Sequence, residues 1–321
     1  MISTHNIPSN KNLNNKDFTY KHYRELLLLA KLGRQIFCYS NIDWDQKFIL
    51  WRHDVDISLN SSLRLAKIEK EAGVKATYFV NPHSEFYNLT ELNQHQIIKE
   101  ILSLGHDIGL HLDVAFYNIS SEADLDKIVA NEARYIEDLF DAKPSAFSFH
   151  NPIAEHLEFD SDKYGGLKNC YSKRFKETVS YCSDSNGYWR FRRLHDVLKD
   201  GKEDRLQILT HPGWWQEHPY PPRQRIFRAA YGRAGATMKM YDRGLVQYQR
   251  VNFSGESKVL NIFREKRHDD FELCDYLWNK SNFKTLFLKL WRIHETQTKN
   301  LCILFLIIVK SASPYEVKKL I

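Results

Sequence analysis

Acidic and imidazole side chains recur in this sequence at points where short apolar runs end. The first point is His53-Asp54-Val55-Asp56, directly after Phe48-Ile-Leu-Trp-Arg52. Two carboxylates this close repel one another, so a buried site that keeps both ionised needs a cation or a set of hydrogen bonds to compensate. One of the pair then serves as a metal ligand and leaves the other as a candidate base. The second point is Gly105-His106-Asp107-Ile108-Gly109-Leu110-His111. Read as a strand, it places Asp107, Gly109 and His111 on one face and His106 and Leu110 on the other. His111, at the strand end, is the better ligand. The third is Ile208-Leu209-Thr210-His211-Pro212, a histidine that closes an apolar run and is fixed by the proline after it. Such a position suits a general acid. Carboxylate and imidazole together are the donors that hold hard-to-borderline divalent ions. Taken singly, a histidine at a strand end is more often a capping or surface residue than a catalyst, and Asp54 with Asp56 also reads as a pair of turn residues. Taken as a set, three such points on one alternating chain are much harder to dismiss.

Groups this far apart in sequence meet only if the elements between them converge. From Lys47 to about His211 the chain reads as strands alternating with helices. Phe48 to His53 is an apolar run, and Leu63, Ala66 and Ile68 then sit among charges in a helical stretch closed by Gly73. Val74 to Val80 is β-branched and aromatic, and Thr90 to Leu104 carries apolar residues at helical spacing up to Gly105. A strand over His106 to His111 and a helix from about Ser121 to Phe140 follow, with Ser121 suited to the helix start. Ala146 to His150 and Gln207 to His211 are later strands. This alternation predicts an α/β fold with a parallel sheet, open or closed into a barrel, whose functional groups gather at the carboxyl ends of its strands. Beyond Tyr220-Pro-Pro222 the pattern changes to a Gly-containing stretch, Gly232 to Gly244, and then to helix from about Ser257. The expected organisation is a flexible polar leader over 1–17, a catalytic domain over 18–222 and a basic, mostly helical extension over 223–321.

Trp51-Arg52-His53-Asp54-Val55-Asp56, a helix, and Gly73-Val74-Lys75-Ala76-Thr77-Tyr78-Phe79-Val80 resemble the first motif and second strand of the NodB-like polysaccharide deacetylases, carbohydrate esterase family four. Gly105 to His111 is similar to that family's second motif and Ile208 to Trp215 to its last. Asp184-Ser-Asn-Gly-Tyr188-Trp189 resembles the Asp/Trp motif between them. The likeness covers roughly residues 47–215. It implies a distorted (β/α) barrel and metal-assisted removal of acetyl groups from amino sugars. Carried over residue by residue, it makes Asp54 the catalytic base, Asp56 and His111 metal ligands and His211 the general acid, with Asp184, Trp189 and Trp214 towards the substrate. The family's third ligand is a histidine four residues after the first, and here Ala115 stands there. Asp113 is near in sequence, but His150 in Phe147-Ser-Phe-His-Asn-Pro152 is the preferred substitute. The family normally has at that place an arginine that orients the base, so His150 is read as ligand first and orienter second. Trp189, Trp214 and Trp215 are read either as walls for a sugar ring or as core aromatics.

A divalent metal, zinc by choice, is therefore the expected cofactor. The expected substrate is a saccharide precursor, nucleotide-linked or lipid-linked. A cyclic-amide hydrolase and a non-catalytic binding member on the same scaffold are the rival readings. With 321 residues, 43% of them hydrophobic, the chain can bury a large core, which excludes disorder throughout. Cys38, Cys170, Cys182, Cys274 and Cys302 have no paired spacing, so neither a disulfide framework nor a CxxC zinc site is expected. The N-terminal stretch has no apolar signal core, and the longest uncharged apolar run, Asn300 to Val309, is about half a membrane span. A cytoplasmic location follows as the expectation. The formal charge of +6 is unevenly spread, with 19 Lys and Arg against 9 Asp and Glu from Arg223 to Ile321, and 27 against 31 before it. No dinucleotide or P-loop motif is present and no nucleic-acid partner is expected. Phe283 to Val309 places an apolar stripe beside Lys284 and Arg292, a pattern that suits either packing on the domain or contact of residues 283–321 with an anionic membrane face.

Overall fold

The computed structural model describes residues 15–252. The helical reading from Ser257 onward, the stripe over 283–309 and nearly all of the polar leader lie outside the described residues. The chain divides after Arg233 into two units, and the architecture that follows is that of the first.

Its strands are β1 (Gln35–Phe37), β2 (Phe48–Val55), β3 (Thr77–Val80), β4 (Asp107–Asp113), β5 (Ala146–His150), β6 (Lys163–Tyr164), β7 (Leu167–Asn169), β8 (Ser180–Ser185), β9 (Tyr188–Trp189) and β10 (Arg205–Thr210). They pair in the order β6-β7-β5-β4-β3-β2-β10-β8-β9, with β1 also on β2. From β7 to β8 along this path every pairing is parallel. Helices α1 (Tyr20–Ala30), α2 (Leu59–Ala72), α3 (Leu92–Ser103), α4 (Glu122–Phe140), α5 (Lys173–Thr178) and α6 (Leu194–Asp200) fall among the strands. Parallel neighbours need such crossovers, so the mixed α/β class read from the alternation is the class the chain adopts. Thr19, Ser58 and Ser121 cap α1, α2 and α4 with side-chain oxygens.

All eight residues of β2 are buried, as a parallel strand covered on both faces requires. Ile49 and Trp51 join Leu65, Ile98, Val129 and Ile136 of the helices in an outer core. Phe48 and Leu50 point the other way and meet Phe79, Ala146, Cys170 and Phe175. That second cluster draws on strands well separated in the pairing order, so the sheet curls around it. Helix α5 connects β7 to β8, which lie far apart along the sheet, and its Phe175 fills the interior between them. Inside the curl the lining of β2 changes from Phe48 and Leu50 to Arg52 and Asp54, so the enclosed space is apolar at one end and ionic at the carboxyl end. Gly109 of β4 is forced by this packing, because a Cβ there would lie 2.6 Å from the Phe79 ring.

Several sequence expectations change at element ends. Asp17 is no part of a loose leader: it is buried, accepts from Trp189 Nε1 at 3.2 Å and pairs with Arg193 at 2.6 Å. The Gly-containing stretch Gly232 to Gly244, expected to precede the helical part, is itself part of one helix, α7 (Pro222–Gln247). A glycine inside a helix costs only about 1 kcal/mol, and Pro222 suits a first turn. The Asp184 to Trp189 stretch is a tight hairpin of β8 and β9, with Asn186 and Gly187 at φ 48° and 74°, the two positive angles such a turn demands.

Candidate metal centre

Asp56, His111 and His150 converge from the carboxyl ends of β2, β4 and β5. His111 Nε2 lies 3.0 Å from Asp56 Oδ1 and 3.1 Å from His150 Nδ1, and the third side, His150 Nδ1 to Asp56 Oδ1, is 3.2 Å. The register of β4 against β5 sets this, pairing His111 with Ser148 and Asp113 with His150. These donors form the candidate ligand set among the described residues. Tetrahedral coordination at about 2.0–2.1 Å per ligand separates neighbouring donor atoms by about 3.3 Å, so the triangle fits a zinc-sized ion with little movement. Burial works against charge on Asp56, but hydrogen bonds from His111 and His150 and the nearby His211 outweigh it and hold the carboxyl far below the usual range. The hydrogen bond to Asp56 raises His150, against the opposing effect of burial.

The surroundings of the triad fix its tautomers. His111 Nδ1 donates to Ser148 Oγ at 2.8 Å, and Ser148 in turn donates to Asp54 Oδ1 at 3.3 Å. That relay turns Nε2 of His111 towards Asp56, the side from which an ion would be held. His150 Nε2 lies 2.9 Å from the Asn151 amide; with His150 as a ligand through Nδ1, the amide turns its oxygen to accept from Nε2.

Asp54 stands beside the triad and outside it, its Oδ2 3.7 Å from His111 Nδ1. It is held by Arg52, whose Nη2 donates to Asp54 Oδ2 at 3.0 Å and to Tyr171 Oη at 2.9 Å. Arg52 is fully buried, its guanidinium over the Phe79 and Tyr171 rings. Burial opposes its charge, yet the Asp54 carboxylate outweighs that and raises it further. On the other side His211 Nε2 lies 3.7 Å from Asp56 Oδ2, while its Nδ1 donates to Asp184 Oδ1. The His211 backbone N–H also donates to Asp184, at 3.1 Å. Burial would lower His211, but the Asp184 carboxylate and its hydrogen bond raise it to about 9.

The structure thus gathers Asp54, Asp56, His111, His150 and His211 at one mouth. It leaves Ala115 exposed, its N–H donating to Asp113 Oδ1 at 3.0 Å. Asp184, expected towards the substrate, is buried and turned to His211. Trp189 is fully enclosed and stacked on Phe18 at 5.3 Å, and Trp214 is 6% exposed, so both are core aromatics. Arg52 and Ser148 were not singled out in the sequence. Both sit two residues before a recognised site residue on a strand, and period-two alternation alone puts them on the same face.

No family model matches the chain, and no curated protein matches it. Solved structures similar to it include a CE4 family pseudoenzyme from Bacillus anthracis, 15% identical, covering 52% of this chain and 56% of that one at TM-score 0.33. A mutant of a CE4 family pseudoenzyme with restored enzymatic activity is 15% identical over 52% of this chain and 57% of its own, also at TM-score 0.33. The chitin deacetylase of the fungal pathogen Colletotrichum lindemuthianum is 14% identical, with 62% of this chain and 86% of that chain covered at TM-score 0.33. The chain spans 57% of the length of the restored mutant.

Proposed function

We propose that this protein is a divergent polysaccharide deacetylase-type hydrolase that removes an N-acetyl group from an amino sugar in a glycan precursor. One observation carries the reading: a two-histidine, one-carboxylate triangle of metal-sized dimensions is flanked by a restrained carboxylate, Asp54, and a restrained imidazole, His211. Asp56, His111 and His150 would hold a divalent ion, zinc by their donor chemistry, and it would supply Lewis-acid polarisation of an acetamide carbonyl and lower the pKa of water there. Asp54 takes the proton of the attacking water. Arg52 and Ser148 fix its two oxygens, so it accepts that proton without reorienting. His211, kept protonated at neutral pH by Asp184, gives its proton to the departing amine as the C–N bond breaks. Acetate and a free amino sugar result.

A nucleotide-linked or lipid-linked saccharide of the cytoplasm is the proposed substrate source, with residues 283–321 as a peripheral contact to the anionic inner membrane face. Among the described residues no helix is long and apolar enough to cross a membrane. The test is acetate release from N-acetylglucosamine oligomers by protein stripped with chelator and reloaded with zinc. Zinc-dependent acetate release is the expected result. A protein that binds no zinc and frees no acetate from any such oligomer overturns this reading.

A further inference from the structure

Trp189 and Trp214 are enclosed in the core and present no open ring face to the metal centre. Beside the triad a charged group is buried and an aromatic ring exposed, the reverse of the ordinary partition. Phe116, in the loop after β4, is 62% exposed, whereas Glu132 of α4 is only 8% exposed. The phenyl ring lies flat on the His83 imidazole, with centroids 3.7 Å apart and planes 17° apart. Tyr117 stands edge-on to both rings, at 5.0 Å from Phe116 and 5.5 Å from His83.

Glu132 Oε1 holds the assembly from beneath, accepting from His83 Nε2 at 3.1 Å and from the Tyr117 hydroxyl. A buried carboxylate used in this way contributes little net stability, because its desolvation offsets what its partners return. What it does provide is a fixed imidazole, and through it a fixed phenyl face turned to solvent. The platform is tied to the metal centre on both sides. Ser84, next to His83, donates to the Asp56 carbonyl at 3.2 Å, and the Phe116 N–H donates to the carbonyl of Asp113, the residue paired with His150 across β4 and β5.

We infer that the Phe116–His83 stack is a saccharide subsite, which binds the apolar face of the pyranose next to the residue being deacetylated. The inference rests on the deacetylase reading. One face of Phe116 is taken by His83 and the other is open, and the axial C–H groups of a pyranose present a positive surface to the negative face of such a ring. An extended saccharide reaching the triad passes over this lip. Phe116 then sets how tightly a chain of sugars binds, while the triad acts on one of them.

The test uses full-length, zinc-loaded protein and N,N′,N″-triacetylchitotriose, with acetate release as the readout. Phe116→Ala is expected to raise KM about tenfold with kcat little changed, and Phe116→Trp to restore the wild-type KM. Zinc affinity and Tm should match wild type in both variants. A wild-type KM in Phe116→Ala overturns the subsite, and so does a loss of zinc affinity or Tm, which would make the ring a structural part of the lip. If zinc-loaded wild-type protein itself releases no acetate from the trisaccharide, the deacetylase reading falls and the subsite with it. That outcome is told apart from the others because it shows before any variant is made.

Discussion

Asp54 and Asp56 are the same functional group two residues apart, and their surroundings give them different work. Asp56 faces two imidazoles, whereas Asp54 faces a guanidinium and a hydroxyl. Asp54→Asn should therefore keep zinc and lose turnover by about 10²–10⁴, since an amide accepts no proton at neutral pH. His150→Ala should lose zinc instead, and calorimetric titration of both variants separates the two roles; equal zinc affinity in wild type and His150→Ala would remove His150 from the ligand set. His211 gives a pH signature. Its metal-free value of about 9 lies above the ordinary 6.5 because Asp184 outweighs burial, and a cation held by Asp56 would bring it down from there, so activity that needs the imidazolium falls on the alkaline side. Asp184→Asn should move that alkaline limb of kcat/KM to lower pH. The same shift links to stability: in metal-free protein the contribution of this pair is fully present below about pH 6.5 and is lost as pH climbs to 9. At this scale the sequence was legible wherever a polar residue ended an apolar run. The directions of Asp184, turned to His211, and of Trp189, turned to the core, were not legible, because whether a side chain turns to the cleft or to the core depends on the neighbouring strand.

The elements do their positioning through alternation. Successive residues of β2 send Arg52 and Asp54 inward and His53 outward, where it meets Glu69, Tyr23 and Thr210 in a buried polar network. That network ties α1 and α2 to β2 and β10, the strands that present Asp56 and His211. Gly109 shows how little room alternation leaves inside the curl. Gly109→Ala would drive a methyl group into the Phe79 ring, which is fully buried, and is expected to cost about 1–3 kcal/mol, read as a lower denaturation midpoint with an unchanged m-value. A variant as stable as wild type would mean that the ring has space to retreat. Long strands and amphipathic helices were legible because their periods of 2 and 3.6 persist over several residues. The β8–β9 hairpin carried a readable Asn186-Gly187 signal that its likeness to a motif obscured. The helix through Gly232 and Gly244 was not legible because propensity is a weak guide where the rest of a helix sets the conformation.

For the molecule as a whole, one ion would join three strands that are otherwise linked through side-by-side pairing. Zinc at a hundred times its Kd should stabilise the wild type by about 2.7 kcal/mol, seen as a concentration-dependent rise in Tm that His150→Ala lacks. The basic excess of the last 99 residues gives a second whole-molecule expectation. Full-length protein should co-sediment with anionic vesicles at low salt, detach as salt rises, and fail to bind once residues 283–321 are removed; no sedimentation at low salt would leave packing as the role of that segment. Finally, the strand order sets where this architecture opens most easily. Among the described residues no ladder joins β7 to β8, and the gap between them is filled by α5, a helix of six residues. Side-chain packing can part there without breaking the ladders elsewhere in the sheet, so amide protons of β7, α5 and β8 should exchange with deuterium at a lower opening free energy than those of β2 and β3. The seam is then the hinge line of the fold's slow breathing, set on the side of the curl away from β3.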